Sequence, residues 1–553
     1  MTSPNGWILA KAAGCKPLVN DVSTGAKPPD CTPARRSLRL RAFPLIAALL
    51  MCLAVVAAAW AGIQRNLHAG LADHTWGRAQ FAITSALSSR YHGAYGYTAF
   101  NVTRTILTYA GLTGEPAALA ALGSTFPKNL RDRSLIEAAI AKAAKFEAPY
   151  NPEQELSGSS GEDVGLVDYV RLAFRLFGNN LPAFFWTYIA LVSVSLAAAL
   201  VAFRRMPGLL TVFVLYALAL PVLFTSDLFD FANVGVLDPR FLSTLSIIPA
   251  AHIALTVLAW PRPSVEQIAL VLLQSAILIF GYWIRTSALW TVLGLSLFAA
   301  LLVGQALWQR RSLQLARNWP LAILGVLMVA HLVYVAHALH PVYQQANERP
   351  HHALWHAFIY ALAGHPDWGK KYAAQYGVGG DTVPENVAKA YVLAHPPEDP
   401  DAVYLTKDRT YLRIGVTERY KRKAFLEFFA NDPKFVLEAF FIYNVKRCNK
   451  AFIEYLSTLK AVPVAGWVLL AIALMMIATL LALDRREQLR ALQGVLIVFG
   501  GFLFSILPIM ITAPSLQVMA DQFLMLTVSV LGWAVVAISH VMLPVIPTER
   551  LDS

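Results

Sequence analysis

Apolar residues along this chain gather into runs separated by short polar turns and by two long polar stretches. Each run is about 20 residues, the length at which a helix crosses a hydrocarbon core of about 30 Å. The runs cover approximately 43–62, 183–203, 207–225, 241–259, 266–284, 287–308, 319–339, 461–483, 491–513 and 522–544. The pattern predicts an all-α polytopic membrane protein with about ten transmembrane helices. Between the runs lie two large loops, 63–182 and 340–460, and polar tails occupy 1–42 and 545–553. The first loop reads as helical, since "GRAQFAITSALSSRY" and "SLIEAAIAKAAKFEA" repeat apolar residues at the helical period. The second reads as mixed α/β. There "VPENVAKAYVLAHP" predicts a helix, and part of "DAVYLTKDRTYLRIGV" alternates like a strand. "RKAFLEFFANDPKFVLEAFFIYNVKR" predicts two helices broken at Asp432-Pro433, the second running back to the membrane. No internal repeat is visible, which argues against an inverted-repeat transporter.

Composition agrees: 57% of residues are hydrophobic and 14% charged, where a soluble domain is about a quarter charged. A net charge of +12 would suggest nucleic acid in a soluble protein. Here the basic residues sit at the ends of apolar runs, so the bilayer is the expected partner and nucleic acid is not. Arg35, Arg36, Arg39 and Arg41 precede the first run, and Arg204 and Arg205 follow the second. Arg262 follows the fourth, Arg310, Arg311 and Arg317 the sixth, and Arg485, Arg486 and Arg490 the eighth. With ten spans all of these share one side, which the positive-inside rule makes cytoplasmic. Both termini then lie inside and both large loops on the outer side. The first 42 residues, rich in Pro and Ser and ending in "ARRSLRLR", read as a disordered cytoplasmic tail rather than a cleaved signal. Cys15, Cys31, Cys52 and Cys448 match no metal spacing, and Cys448 stands alone on the outer side, so no disulfide is expected there.

Candidate chemistry centres on "SSGEDVGLVDYVRLAFRLFGNN", residues 159–180. Ser160 and Asp163 fit a capping box, and acids in a first turn suit the helix dipole. Asp168, Arg171 and Arg175 fall at i, i+3 and i+7, a polar stripe on a helix expected to lie flat at the membrane with the stripe outward. The other reading is functional: a carboxylate at the outer face acts as general base on an acceptor hydroxyl. A lipid substrate whose charged head lies at that depth needs cationic partners. Arg285 sits in the tight hairpin "GYWIRTSALW" beside Tyr282, Trp283 and Trp290. A charge there is costly unless paired or snorkelling, and arginine suits bidentate phosphate binding; its alternative role is an interfacial anchor. Arg240 is a second candidate, and Lys446 with Arg447 a third. His352 and His356 have the i, i+4 spacing of metal ligands, but Ala353 stands where a zinc protease has glutamate, so His356 reads as a substrate contact or helix packing. "YGVGGD", 376–381, lacks the flanking strand and helix of a nucleotide loop. His252 and His331 lie within runs but near their ends, and few ionisable residues occupy span centres.

Three phrases carry a resemblance. "GEDVGLVDYVRLAFRLFG" is similar to the acid-Gly-hydrophobic-"LA..LFG" phrase before the second span of bacterial GT-C class membrane glycosyltransferases. "ERPHHALWHAFIYALAG" resembles the "WH..y.gL" phrase of related bacterial membrane proteins, and "NDPKFVLEAFF" their "dP.f.l" helix leading back into the bilayer. The resemblance implies a multi-span enzyme that moves a sugar from a polyprenyl-phosphate donor to a cell-envelope glycan, lipid or protein on the periplasmic side. It implies a catalytic acid in the first outer loop. Asp163 comes first, because the phrase matches there, then Glu162, then Asp73 in "GLADHTWGR", since many members place the acid soon after the first span. Arg285, Arg240, His356, Lys446 and Arg447 become the candidate substrate-binding residues. No metal ligand is assigned; a divalent cation is the one cofactor the resemblance allows, with Asp227, Asp230 and Asp238 available to it. The rival readings are a transporter or flippase of a lipid-linked or envelope substrate, and a polysaccharide polymerase or ligase.

Overall fold

The structure is a computed structural model that describes residues 34–68, 86, 164–180, 182–225, 239–260, 262–285, 288–309, 316–338, 354–378, 382–395, 413–458, 485–512 and 518–542. In chain order the first half comprises α1 (Ala34–His68), α2 (Val164–Phe177), α3 (Pro182–Phe203), α4 (Pro207–Thr225), α5 (Pro239–Leu242), a 3-10 turn (Ser243–Ser246), α6 (Ile247–Ala259), α7 (Val265–Ile284), α8 (Leu289–Trp308) and α9 (Trp319–Ala338). The second half comprises α10 (Leu354–Ala363), α11 (Trp368–Lys371), α12 (Ala373–Tyr376), α13 (Thr382–Ala394), α14 (Arg413–Asn431), α15 (Pro433–Glu438), a π turn (Ala439–Tyr443), α16 (Asn444–Thr458), α17 (Arg485–Met510) and α18 (Ala520–Met542).

The all-α expectation holds among the described residues, which contain no strand. The strand-like stretch 401–416 lies outside them except for 413–416, which begin a helix. The mixed α/β second loop therefore finds no support. Eight described helices are long and apolar enough to cross a membrane. The sixth expected run forms α8, whose apolar portion, Leu289–Gln305, is shorter than those eight, and the eighth, 461–483, lies outside the described residues. The count of ten is thus not reached by the structure. The last part of the expected disordered tail is helical: α1 begins at Ala34 and takes in Arg35, Arg36, Arg39 and Arg41.

Two segments form the middle of the bundle. Pro207–Thr225 is 89% buried and Arg240–Ala259 is 94% buried, against 33% for Phe43–Ile63 and 17% for Ala316–His337. Helix α4 is apolar all round, as an enclosed helix should be. Between lipid-embedded helices no hydrophobic force remains, so close packing must hold them. Gly494 on α17 and Gly532 on α18 allow it: a Cβ there would stand 2.4 Å from Val212 and 2.5 Å from Val495.

The arginine turns gather at one end of this bundle. Arg204, after α3, pairs in bidentate fashion with Glu266 on α7, at 2.5 and 3.1 Å. Arg317 donates to the carbonyls of Val257 and Leu258, filling acceptors that the end of α6 leaves open. Glu487, paired with Arg490 on α17, accepts the Gly208 amide at the start of α4 at 3.0 Å. These contacts bring ends of α3, α4, α6, α7, α9 and α17 together.

Both described loop segments attach to the opposite end. Helix α2 stops at Gly178, whose φ of 84° is the left-handed conformation glycine takes without strain. Asn180 then accepts the Ala183 amide at 2.9 Å and caps α3. "FGNNLP" is thus a complete stop-and-start signal, and the Tyr169 hydroxyl locks the hairpin by donating to the Phe184 carbonyl at 2.5 Å. The second loop builds a separate helical body around Ile359, Leu362, Trp368, Val387, Phe428 and Phe435. It joins the bundle where Asn444 donates to the Met510 and Thr512 carbonyls, at 2.7 and 2.9 Å.

The expected break at Asp432-Pro433 is present. Asp432 accepts the Phe435 amide at 3.1 Å and caps α15, with Pro433 in the first turn. Its other oxygen takes Lys371 at 2.5 Å, and the lysine with the Phe435 amide holds the carboxyl below its usual range. Asp432→Ala is expected to destabilise the body by about 1 kcal/mol through the lost cap, measured by denaturant unfolding. Asp432→Asn, which keeps an acceptor oxygen, should recover most of it.

Candidate functional site

The end of the bundle opposite the arginine turns holds a polar corner. Helix α2 meets the last turn of α7 there. The Asp168 carboxylate accepts the Trp283 indole at 2.8 Å through one oxygen and Arg171 at 3.0 Å through the other. The expected outward stripe is therefore corrected: Asp168 turns inward and Arg175 alone of the three is exposed. The cause is tertiary, because the half-buried Trp283 indole offers a donor that Asp168 accepts. His331 on α9 stands edge-on to Trp283 with ring centres 5.1 Å apart.

Arg285 is the next residue but one and caps α7, its amide donating to the Gly281 carbonyl at 3.0 Å. Its charge is the smallest of several influences on Asp521, a buried acid in the first turn of α18 for which burial dominates. The Gln522 side chain hydrogen-bonds to that carboxylate, and both residues are almost fully buried. Arg240 enters from α5, which packs against α7 and α18. Both arginines are half-buried, with their Nε atoms shielded from water. Arg285, Asp521 and Gln522 thus stand at the same end of the bundle as the Asp168–Trp283 contact, and the short helix that carries Arg240 packs against α7 and α18 there. Of the expected site residues this end includes Arg285 and Arg240, and it adds Asp521, which sequence reasoning missed.

His356, Lys446 and Arg447 stand elsewhere. Arg447 packs on Gly364 and reaches Asn444, and Lys446 lies 5.0 Å over the Tyr443 ring. His356 belongs to an ion network in the helical body. Lys421, buried, meets Glu385 at 2.7 Å, His356 at 3.3 Å and Glu418 at 3.4 Å. Glu418 accepts the Trp355 and His356 amides, closing the open start of α10. Through Glu418 the network is tied to a helix start, a structural role. His352, Asp73, Glu162, Asp163, Asp227, Asp230 and Asp238 lie outside the described residues, as do the first-loop segments expected to be helical before 164. Among the described residues no three His, Cys, Asp or Glu side chains gather to hold a metal ion. Cys448 is free and buried.

The network carries a pH dependence. Burial pushes Glu385 up, but His356 and Lys421 outweigh it and hold the carboxyl at about 2. A carboxyl lowered on folding gives stability above its unfolded value, near 4.5, and loses it as pH falls toward the folded value. Asp432 adds a term of the same sign. Burial raises Glu418, against the pull of Lys421, so its term has the opposite sign. The body is expected to lose stability between about pH 4.5 and 2, read by tryptophan fluorescence in denaturant, and Glu385→Gln should flatten that slope.

A second polar cluster lies inside the bundle. The Gln274 amide donates to the Ser195 carbonyl at 2.8 Å and to His252 Nδ1 at 3.2 Å, while Ser195 Oγ donates to Gln274 Oε1 at 2.7 Å. The Ser195 carbonyl fixes the amide orientation, and the amide then makes Nδ1 an acceptor, which leaves the His252 proton on Nε2. His252 is the thirteenth residue of the twenty in Arg240–Ala259, so its expected place near a span end is corrected to the middle. No known protein family, curated protein or solved structure matches the chain.

Proposed function

We propose that the protein is a membrane glycosyltransferase that moves a sugar from a polyprenyl-phosphate donor to a cell-envelope acceptor at the polar corner. The observation that carries this reading is the presence of Arg285, of the helix that carries Arg240 and of the buried Asp521 at the end of the bundle where both loop segments attach. That end would face the periplasm of a bacterial inner membrane, with the arginine turns and both termini in the cytoplasm.

Asp163 is the proposed base, with Glu162 and Asp73 behind it. Asp163 precedes Gly165 by two residues, and Gly165 lies against the Trp283–Ile284 peptide, directly before Arg285. Covalent reach keeps the Asp163 Cα within about 7 Å of the Gly165 Cα. In the proposed reaction the acceptor hydroxyl loses its proton to the carboxylate as its oxygen bonds to the anomeric carbon. The bond from that carbon to the phosphate oxygen breaks, and the electron pair leaves on polyprenyl phosphate. Arg285 and Arg240 take the charge that grows on the phosphate. No step here requires a divalent cation.

The transporter or flippase reading draws on one observation, the Ser195–Gln274–His252 cluster at mid-bundle. Labelled lipid donor in sealed vesicles separates the two. Glycosylated product supports the transferase; net movement of donor without product overturns it. A polymer or ligated glycan as product would support the polymerase or ligase reading instead.

A further inference from the structure

Helix α16 presents three different faces. Asn444, Cys448, Ala451 and Tyr455, spaced i, i+4, i+7 and i+11, are buried against the bundle. The Tyr455 ring stacks on Phe523 at 4.3 Å and its hydroxyl meets Thr527 at 3.0 Å. Phe452 packs on Phe502 at 5.8 Å. Asn444 lies at Met510, and Phe452, eight residues later, lies at Phe502, eight residues earlier in α17. The two helices therefore run antiparallel, and α16 descends beside a membrane-crossing helix for about 12 Å.

The rest of α16 is exposed and divided. One edge is apolar: Val445, Ile453 and Leu456 are 40, 59 and 57% exposed, and Leu437, Phe441 and Ile442 continue it across the π turn. The other edge is basic: Lys446 and Lys450 are exposed one turn apart. Lys450 pairs with Glu454 at 3.6 Å, an exposed i, i+4 contact that yields readily to a stronger anion. In water an apolar stripe beside lysines has no purpose. At headgroup depth, stripe and lysines match the acyl chain and the phosphate of one lipid.

We propose that α16 carries a binding site for an anionic phospholipid of the surrounding bilayer. Lys446 and Lys450 hold its phosphate, and Val445, Ile453 and Leu456 lie along its acyl chain. Each lysine at such a surface contributes about a fivefold gain in affinity. The site is independent of the transfer reaction and stands if that reading fails.

The test uses the full chain in nanodiscs of phosphatidylcholine, titrated with phosphatidylglycerol, with retained lipid counted by native mass spectrometry. The parent chain should retain phosphatidylglycerol, and the double variant Lys446→Gln, Lys450→Gln should bind it about 25-fold more weakly. Lys370→Gln, an exposed lysine of the helical body, serves as the control and should bind like the parent. The thermal midpoint in pure phosphatidylcholine confirms that each variant is folded. Equal retention by parent and double variant overturns the proposal. Retention of a polyprenyl monophosphate but not of phosphatidylglycerol overturns it too, because the lysines would then serve the substrate.

Discussion

Exchanging Arg285 for lysine is expected to slow the proposed sugar transfer about a hundredfold while leaving the thermal midpoint of the bundle close to that of the parent chain. Lysine keeps the positive charge at the end of α7, so the charge balance of this half-buried corner is preserved. What it loses is the planar fork, since an ammonium cannot offer two parallel N–H groups to one phosphate. In the proposed reaction the phosphate gains charge as the sugar bond breaks, so the fork would matter more in the transition state than in the bound donor. The loss should therefore fall on kcat more than on KM. Arg285→Ala is a poorer probe: it removes a half-buried side chain as well as its charge, and stability should fall with activity. Product formation from labelled donor in reconstituted vesicles is the readout. A rate within twofold of the parent would remove Arg285 from the reaction.

The residues that make this corner differ in how far sequence reveals them. Arg285 is legible because a charge in a hairpin among apolar runs has few bland explanations. "FGNNLP" and "ANDPKF" are legible because capping acts over neighbouring residues: Gly178, Asn180, Asp432 and Pro433 do in the fold what their local chemistry demands. The arginine turns are legible as a set, although their actual partners, Glu266 and the Val257 and Leu258 carbonyls, are not. Asp521 reads as a polar residue at the edge of a run, and only the arrival of α7 gives it Arg285. The Ser195–Gln274–His252 cluster joins residues 79 and 22 positions apart, with no periodic pattern between them. The direction of Asp168 is set by Trp283, 115 residues later, so helical spacing alone assigned it to the wrong side.

The second large effect is expected at Gly165. Helix α2 lies against the end of α7 because this residue lacks a Cβ: one placed there would stand 2.2 Å from the Trp283 carbonyl carbon and oxygen and 2.4 Å from the Ile284 nitrogen. Those are backbone atoms of a packed helix end, and they cannot swing aside as a long side chain does. Gly165→Val must therefore lift α2, and the Asp168–Trp283 bond at 2.8 Å survives little displacement. The stability loss should be about 1–3 kcal/mol, the range for overpacking a well-filled contact. Faster amide exchange across Val164–Phe177 should accompany it, since that helix is the part set loose. The proposed transfer should fall as well if Asp163 is its base, because α2 begins at the next residue and docks by Gly165 against the peptide that precedes Arg285. Asp168→Asn provides the internal comparison: it keeps an acceptor for Trp283, so α2 stays docked and transfer continues. If Gly165→Val frees α2 by exchange and transfer is undiminished, the base must come from outside the first loop, and Asp521 becomes the acid to replace next.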